Sequence, residues 1–362
     1  MKVYLDYAAT TPLCKEALGA MTPLLTENFG NPDSLHFYGR KAAYAVSQAR
    51  DDVADVLGVK AGEVYFTSGG TEADNWAVRA LGGGKVCVSQ IEHAAALFAA
   101  KLRPEGFTLA RANGAGEITA EAVNAALAPD TGLVSVMAVN NETGVVQPLK
   151  EISALCGERG ALLFSDCVQA ACALDLKKIL AYADAISLSG HKIYGPKGVG
   201  ALVVKKGKLG ALIAGGEQER GLRGGTLNAA GICGFAVALR KAQAEREDFC
   251  AHTRALRDLF EREVLSALGG RARVDGENRV PNVSHITFDC GEALLSRLDL
   301  CGVAASGGAA CSAHAGLPSH VMLAMGKSEK EARRGVRFSF GRDTTEEEVL
   351  FAARTVVSCC NG

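Results

Sequence analysis

From about residue 60 to residue 205, short apolar runs alternate with amphipathic stretches, and this rhythm limits the fold more than any single residue does. It predicts strands at 63–67, 85–89, 107–111, 133–138, 161–165, 185–188 and 200–204, with helical segments such as 72–81 and 149–159 between them. Strand, helix, strand in this order argues for an α/β fold: a mainly parallel seven-stranded sheet with helices on both faces. Each strand-to-helix junction then points at one edge of the sheet, where ligands of such folds bind. At 362 residues the chain exceeds the size at which one core keeps growing, so a second domain is expected. The reading places a large α/β domain at 14–255 and a smaller α+β domain at 1–13 and 256–362. A long helical stretch over 229–268, rich in Ala, Arg and Glu, connects them. The first forty residues carry turns at Thr10-Thr11-Pro12 and Gly30-Asn31-Pro32 and are expected to pack on the smaller domain.

Thirty-nine basic against forty acidic residues leave a net charge of −1, and no basic run stands out. That pattern argues against nucleic acid or an anionic membrane surface as a partner. No segment approaches the apolar length of a membrane span, and the residues after Met1 lack the pattern of a signal peptide, so a cytoplasmic protein is expected. The twelve cysteines are scattered without a repeated Cys-x-x-Cys spacing, which reads as reduced thiols, mostly small core residues.

The chemistry gathers at strand ends. The run from Asp184 to Gly198 places Lys192 just beyond an apolar strand, in a stretch closed by Gly and Pro. Desolvating an ammonium there is costly unless the amine is neutral or tied up as an imine with a carbonyl cofactor. Ser189, Gly190 and His191 precede it and can hold a phosphate. Ser68-Gly69-Gly70-Thr71 ends one strand and opens a helix, which suits either an anion cradle or an ordinary helix cap. His93 follows the strand at 85–89 and can stack on a flat cofactor or relay protons, although a lone histidine is more often structural. Asn140 and Asn141 end another strand and read as an Asx-type turn or as an amide reaching a ligand. Asp166 ends a buried run and wants a cationic partner, such as a protonated pyridine nitrogen; Gln169 can reach the same ligand if the chain turns helical there. The loop from Gly215 to Thr226 carries two arginines among glycines, which suits an active site or a subunit interface. Cys311 lies in a run of tiny residues, 305–316, and is a candidate nucleophile, or else a cysteine used as a small residue in a tight turn. Arg337 is a cation within an apolar strand and needs an anionic partner.

Together these motifs resemble the cysteine desulfurases of the NifS/IscS-like branch, pyridoxal 5'-phosphate (PLP) enzymes of the fold-type I, class V aminotransferase superfamily. The likeness runs from Tyr4-Leu5-Asp6-Tyr7-Ala8-Ala9-Thr10-Thr11 to Arg337-Phe338-Ser339-Phe340-Gly341-Arg342-Asp343-Thr344-Thr345. The resemblance implies that Lys192 anchors PLP covalently and moves protons, with His93 stacked on the ring. Asp166 would pair with the ring nitrogen and Gln169 with the phenolic oxygen. Gly70, Thr71, Ser189, Gly190 and His191 would hold the phosphate, with Thr226 added from the second subunit of a homodimer. Asn141 and Arg337 would fix the carboxylate of L-cysteine, and Cys311 would take its sulfur as a persulfide, releasing alanine. A sulfur-acceptor or iron–sulfur scaffold protein would receive it. Small-for-small replacements distinguish this chain, among them Gly307-Gly308-Ala309-Ala310-Cys311 and Arg223-Gly224-Gly225-Thr226. The pair Cys359-Cys360 falls outside the family pattern and reads as an incidental disordered tail, or else as an accessory sulfur relay. Rival readings are a selenocysteine lyase, another class V aminotransferase, or a degenerate PLP scaffold that serves as a binding protein; retention of Lys192 and Cys311 favours the desulfurase.

Overall fold

The computed structural model describes residues 1–308 and 317–361. Its first elements are β1 (Val3–Tyr4), α1 (Lys15–Thr26) and α2 (Phe37–Leu57). Strands and helices then alternate: β2 (Val64–Thr67), α3 (Gly70–Ala80), β3 (Lys85–Ser89), α4 (Ala94–Lys101), β4 (Phe107–Ala110) and α5 (Ala120–Ala126). The series continues with β5 (Thr131–Ser135), α6 (Leu149–Arg159), β6 (Leu162–Asp166), α7 (Leu176–Tyr182), β7 (Ala185–Ser189) and β8 (Gly200–Val204).

These strands form a seven-stranded sheet in the order β2-β8-β7-β6-β5-β3-β4. The pairings from β7 through β6, β5 and β3 to β4 are parallel, because each passes through a covering helix. Strand β8 runs antiparallel to both β7 and β2, since residues 190–199 return the chain without a crossover helix. Every residue of β7 and β8 is buried, as expected of unbroken apolar strands covered on both faces. All seven expected strands are present. The one expected at 133–138 is regular only to Ser135, yet Val136 and Ala138 still donate to the carbonyls of Phe164 and Asp166.

Helices α8 (Ala229–Ala244) and α9 (Arg246–Leu268) divide the stretch expected as one connecting helix, with the break at Glu245 (φ −94°, ψ 11°). Beyond them come β9 (Ala272–Val274), β10 (Val283–Phe288), α10 (Leu294–Leu300), β11 (Val303–Ala304), α11 (His320–Ala324), α12 (Glu329–Ala332), β12 (Gly335–Ser339) and α13 (Glu346–Asn361). Strand β10 lies between β12 and β9 in an antiparallel sheet, and β1 pairs parallel with β11. A separate core forms here from Leu256, Phe260 and Val264 of α9, Ile286 and Phe288 of β10, Phe338 of β12, and Val349 and Val356 of α13.

Three expectations are corrected. The first forty residues do not pack together on the smaller domain. Residues 3–8 pair there, through β1, the Asp6–Ser339 bridge and the Ala8 N–H bond to Ser339 Oγ, whereas Ala17 of α1 and Val46 of α2 join the core that holds Ile232 and Phe235 of α8. The apolar faces of these helices need a helical partner, and α8 supplies it. Cys359 and Cys360 are not a disordered tail but the end of α13, with Cys360 buried. Nor are all the cysteines free thiols: Cys290 and Cys360 are disulfide-linked across 70 residues, a proximity that sequence spacing cannot reveal.

Candidate functional site

Ser189 ends β7, and the chain then makes a single turn of 3-10 helix at Gly190–Lys192. A Cβ on Gly190 would sit 2.7 Å from the carbonyl oxygen of Pro196, so this tight return requires glycine. The turn aims Lys192 at the N-terminal segment, where Nζ donates to the carbonyls of Ala8 (2.5 Å) and Ala9 (2.8 Å). Gln169 Nε2 donates to the same Ala8 carbonyl at 2.8 Å. Residues 168–173 form turns rather than a helix, yet Gln169 still reaches the site. Thr11 stitches the segment down: its N–H donates to the His191 carbonyl at 2.9 Å, and its Oγ1 accepts from the Tyr194 N–H at 2.8 Å. Residues 8–10 thus form one wall of the site, which the side-chain motifs did not reveal. Their contribution is largely backbone carbonyls, which leave no residue-type signature.

Opposite chemistry gathers where β2 meets α3. Gly69 caps the helix at φ +154°, outside the range a side chain adopts comfortably. Ser68, Gly69, Gly70 and Thr71 line a cavity together with Ser189, His191 and Lys197. Burial, helped by Lys192 and Lys197, lowers the His191 pKa to about 4. At neutral pH this ring therefore offers a hydrogen bond rather than a charge, and Lys197 supplies the cation. Glu72 is taken up by Arg223, whose Nε and Nη2 donate to its two oxygens at 2.8 and 3.0 Å. Thr226 is exposed and does not line this cavity within its own chain.

The inner wall is acidic and buried. Asp166 Oδ1 accepts from the Val168 N–H at 2.8 Å, and burial pushes its carboxyl up despite His93 and Lys192 nearby. Asp74 is buried and also held up by burial and then by Asp166; its Oδ1 accepts from Ser187 Oγ at 2.5 Å. Glu92 is pushed up to about 8, chiefly by burial. Its Oε1 accepts from Ser89 Oγ and the Met137 N–H, each at 2.6 Å, while Oε2 has no partner. His93 caps α4, its Nδ1 accepting from the Ala95 N–H at 3.2 Å. That bond assigns the neutral ring's proton to Nε2, and burial lowers the pKa and favours the neutral form.

The two asparagines divide the readings between them. Asn140 makes the turn: its Oδ1 accepts from the N–H groups of Glu142 and Thr143, and Nδ2 donates to the Ile91 carbonyl. Asn141 lines the cavity, its Oδ1 buried without a partner. Its own carbonyl accepts from Arg337 Nη1 at 2.6 Å, and Arg337 Nη2 donates to Asp6 Oδ1 at 2.9 Å. Arg337 is 2% exposed and its Nε is unpartnered, so a buried cation retains donor capacity on a cavity wall. Asp6 as the anion that Arg337 requires was not foreseen.

The cavity is about 520 Å³ and is lined by Thr71, His93, Asn141, Asp166, Gln169, Lys192 and Arg337, among others. Gly190, between Ser189 and His191, does not line it. A larger groove of 730 Å³ between α1, α2 and α8 brings together chiefly apolar and aromatic groups such as Leu24, Phe37 and Tyr44. Cys311 lies outside the described residues. The chain on either side of it is anchored: Ser306 exchanges backbone hydrogen bonds with Arg337, and Ser319 Oγ donates to the buried Glu142. Among the described residues no group of three or more His, Cys, Asp or Glu is placed to hold a metal ion, and no helix is long and apolar enough to cross a membrane.

Comparison with known proteins gives a consistent picture. Residues 3–351 match the family described as aminotransferase class-V. A cysteine desulfurase of Cereibacter sphaeroides is 44% identical over 363 residues, 96% of this chain and 93% of that protein. Among solved structures, a NifS-like protein superposes with a TM-score of 0.90 at 32% identity, covering 99% of each chain. The structure described as SspA in complex with cysteine reaches 0.82 at 34% identity, covering 95% of this chain and all of that one.

Proposed function

The chain belongs to the aminotransferase class-V family, and from that premise we propose that it is a PLP-dependent cysteine desulfurase, converting L-cysteine to L-alanine while Cys311 retains the sulfur as a persulfide. Asp166 carries the reading. A carboxyl at a buried strand end, with one hydrogen bond at Oδ1 and burial working against its charge, is matched by a protonated ring nitrogen. The donors around it fit the rest of the group. Lys192 would hold its carbonyl carbon through Nζ, Gln169 its phenolic oxygen and His93 a face of its ring. Gly70, Thr71, Ser189, Gly190 and His191 would take its phosphate. When bound, PLP supplies an electron sink for bond breaking at the substrate.

The chain's own residues do the remainder. Arg337 Nε, still a free donor, and the Asn141 amide receive the substrate carboxylate. Lys192 Nζ, once released, carries the proton taken from the substrate Cα, and the neutral His93 offers a second proton site at Nε2. Cys311 attacks as a thiolate: its bond to the substrate sulfur forms as the carbon–sulfur bond breaks, and the carbon is reprotonated as alanine. We assign the enzyme to the cytoplasm as a homodimer. Supporting the dimer, Leu25, Phe29, Leu35, Phe37 and Tyr44 are exposed around the groove at α1 and α2, and Thr226 is exposed and does not line its own chain's cavity. A sulfur-acceptor or iron–sulfur scaffold protein would collect the persulfide.

Purified protein given PLP, L-cysteine and a reductant should yield alanine and sulfide in equal amounts. Cys311→Ala should abolish sulfide production, and Lys192→Ala should leave no borohydride-reducible bond to the cofactor. Full activity in the first variant, or a reducible bond in the second, overturns the corresponding assignment.

A further inference from the structure

Four of the twelve cysteines meet at one place in the smaller domain, away from the cavity and unused by the reaction. Cys360, buried on the last turn of α13, is linked to Cys290, which follows β10. Its neighbour Cys359 brings Sγ to 3.9 Å from Sγ of Cys301, the exposed residue that caps α10. Consecutive residues of α13 therefore hold both ends of the segment that contains α10. Two arginines fix this end of the helix. Arg297 Nη1 donates to the Cys359 carbonyl at 2.9 Å, and Arg271 Nη2 donates to Asn361 Oδ1 at 2.6 Å. The Cys301 and Cys359 sulfurs are in van der Waals contact, a short side-chain movement from bonding distance. The exposed Cys301 leaves the pair open to a small reagent.

We propose that Cys301 and Cys359 form a redox-reactive surface dithiol that closes to a second disulfide by exchange with a low-molecular-weight disulfide. Cys301, as thiolate, attacks one sulfur of that reagent, forming a mixed disulfide and expelling the first thiol. Cys359 gives up its proton and attacks the Cys301 sulfur, which expels the second thiol. Two protein thiols are oxidised and one external disulfide is reduced to two thiols. The product fastens α13 to both ends of the 290–301 segment. The new bridge spans 58 residues, and the chain it closes includes Cys311 and Arg337.

The test incubates the holoenzyme with oxidised glutathione, blocks the remaining thiols with N-ethylmaleimide, and maps peptides by mass spectrometry before and after dithiothreitol. The expected product is a Cys301–Cys359 crosslink, lost on reduction, with a melting midpoint raised by a few degrees while it is in place. Cys359→Ser should stop the reaction at a glutathione adduct on Cys301 and turn over cysteine at the wild-type rate under reducing conditions. If both wild-type thiols remain alkylatable, if the wild-type adduct persists on Cys301, or if Cys301 joins Cys360 instead, the proposal is overturned.

Discussion

Replacing Asp6 with Asn should reveal how the site keeps a buried arginine in place. The Asp6 carboxylate is the anion bonded to the Arg337 guanidinium, at 2.9 Å, and the two side chains retain only 18% and 3% of their exposure. Removing one partner of a buried ion pair costs about 3–5 kcal/mol. Asp6 keeps some contact with water, and the Asn carbonyl can still accept the hydrogen bond, which brings the expectation down to about 2–3 kcal/mol. Unfolding entropy of roughly 2 cal/mol/K per residue converts this to a drop of about 3–4 °C in melting midpoint for a chain of this length. The same measurement on Arg337→Met and on the double variant completes a cycle. Arg337→Met alone leaves Asp6 partly hydrated and should cost less, so the two effects should fall short of additivity by at least ~1.5 kcal/mol. Additivity within about 0.5 kcal/mol would show that the pair is not coupled and that Asn141 alone positions the guanidinium.

Three further outcomes are expected. Glu92 keeps its proton in the fold up to about 8, whereas the unfolded carboxyl releases it near 4.5. Unfolding therefore releases a proton between those values, and the stability Glu92 contributes below pH 4.5 is lost progressively as pH rises through 8. Glu92→Gln should remove this slope and melt higher than the wild type at pH 8, by about 2 kcal/mol relative to pH 6; parallel curves would refute it. Glu219→Ala leaves the largely buried Arg50 without its carboxylate (2.6 and 2.9 Å) and the Phe66 N–H without an acceptor, so a loss of about 3 kcal/mol in thermal melting is expected, and one below ~1 kcal/mol would contradict it. Gly70→Ala places a Cβ 2.8 Å from Val168 Cγ2 at the mouth of the anion cradle, and cofactor retention on dialysis should weaken about tenfold, as expected for losing ~1.4 kcal/mol; unchanged retention would remove Gly70 from the cradle.

The sheet was legible because its strands are buried on both faces and so read as unbroken apolar runs, bounded by the glycines and polar residues of the turns. The candidate site was legible wherever chemistry resides in a side chain at a strand end, as for Lys192, Asp166 and His93. Three things were not. The wall made by Ala8 and Ala9 acts through carbonyl groups that every residue possesses. The partner of Arg337 lies 331 residues earlier in the chain, and only the fold reduces that separation to a hydrogen bond. The roles of Asn140 and Asn141 depended on which side chain turned inward, and adjacent identical residues carry no mark of that.

The placement of residues 3–11 bears on the order in which the protein folds. Val3 pairs with Val303, the Ala8 N–H donates to Ser339 Oγ, and Asp6 meets Arg337, the last two across 331 residues of chain. Contacts of such separation carry a large loop-closure cost and are expected to close late. The strands of the large sheet lie between residues 64 and 204 and pair over shorter separations, so that sheet is expected to assemble first. Joining the N-terminal segment to the smaller domain then completes the wall whose Ala8 and Ala9 carbonyls accept from Lys192.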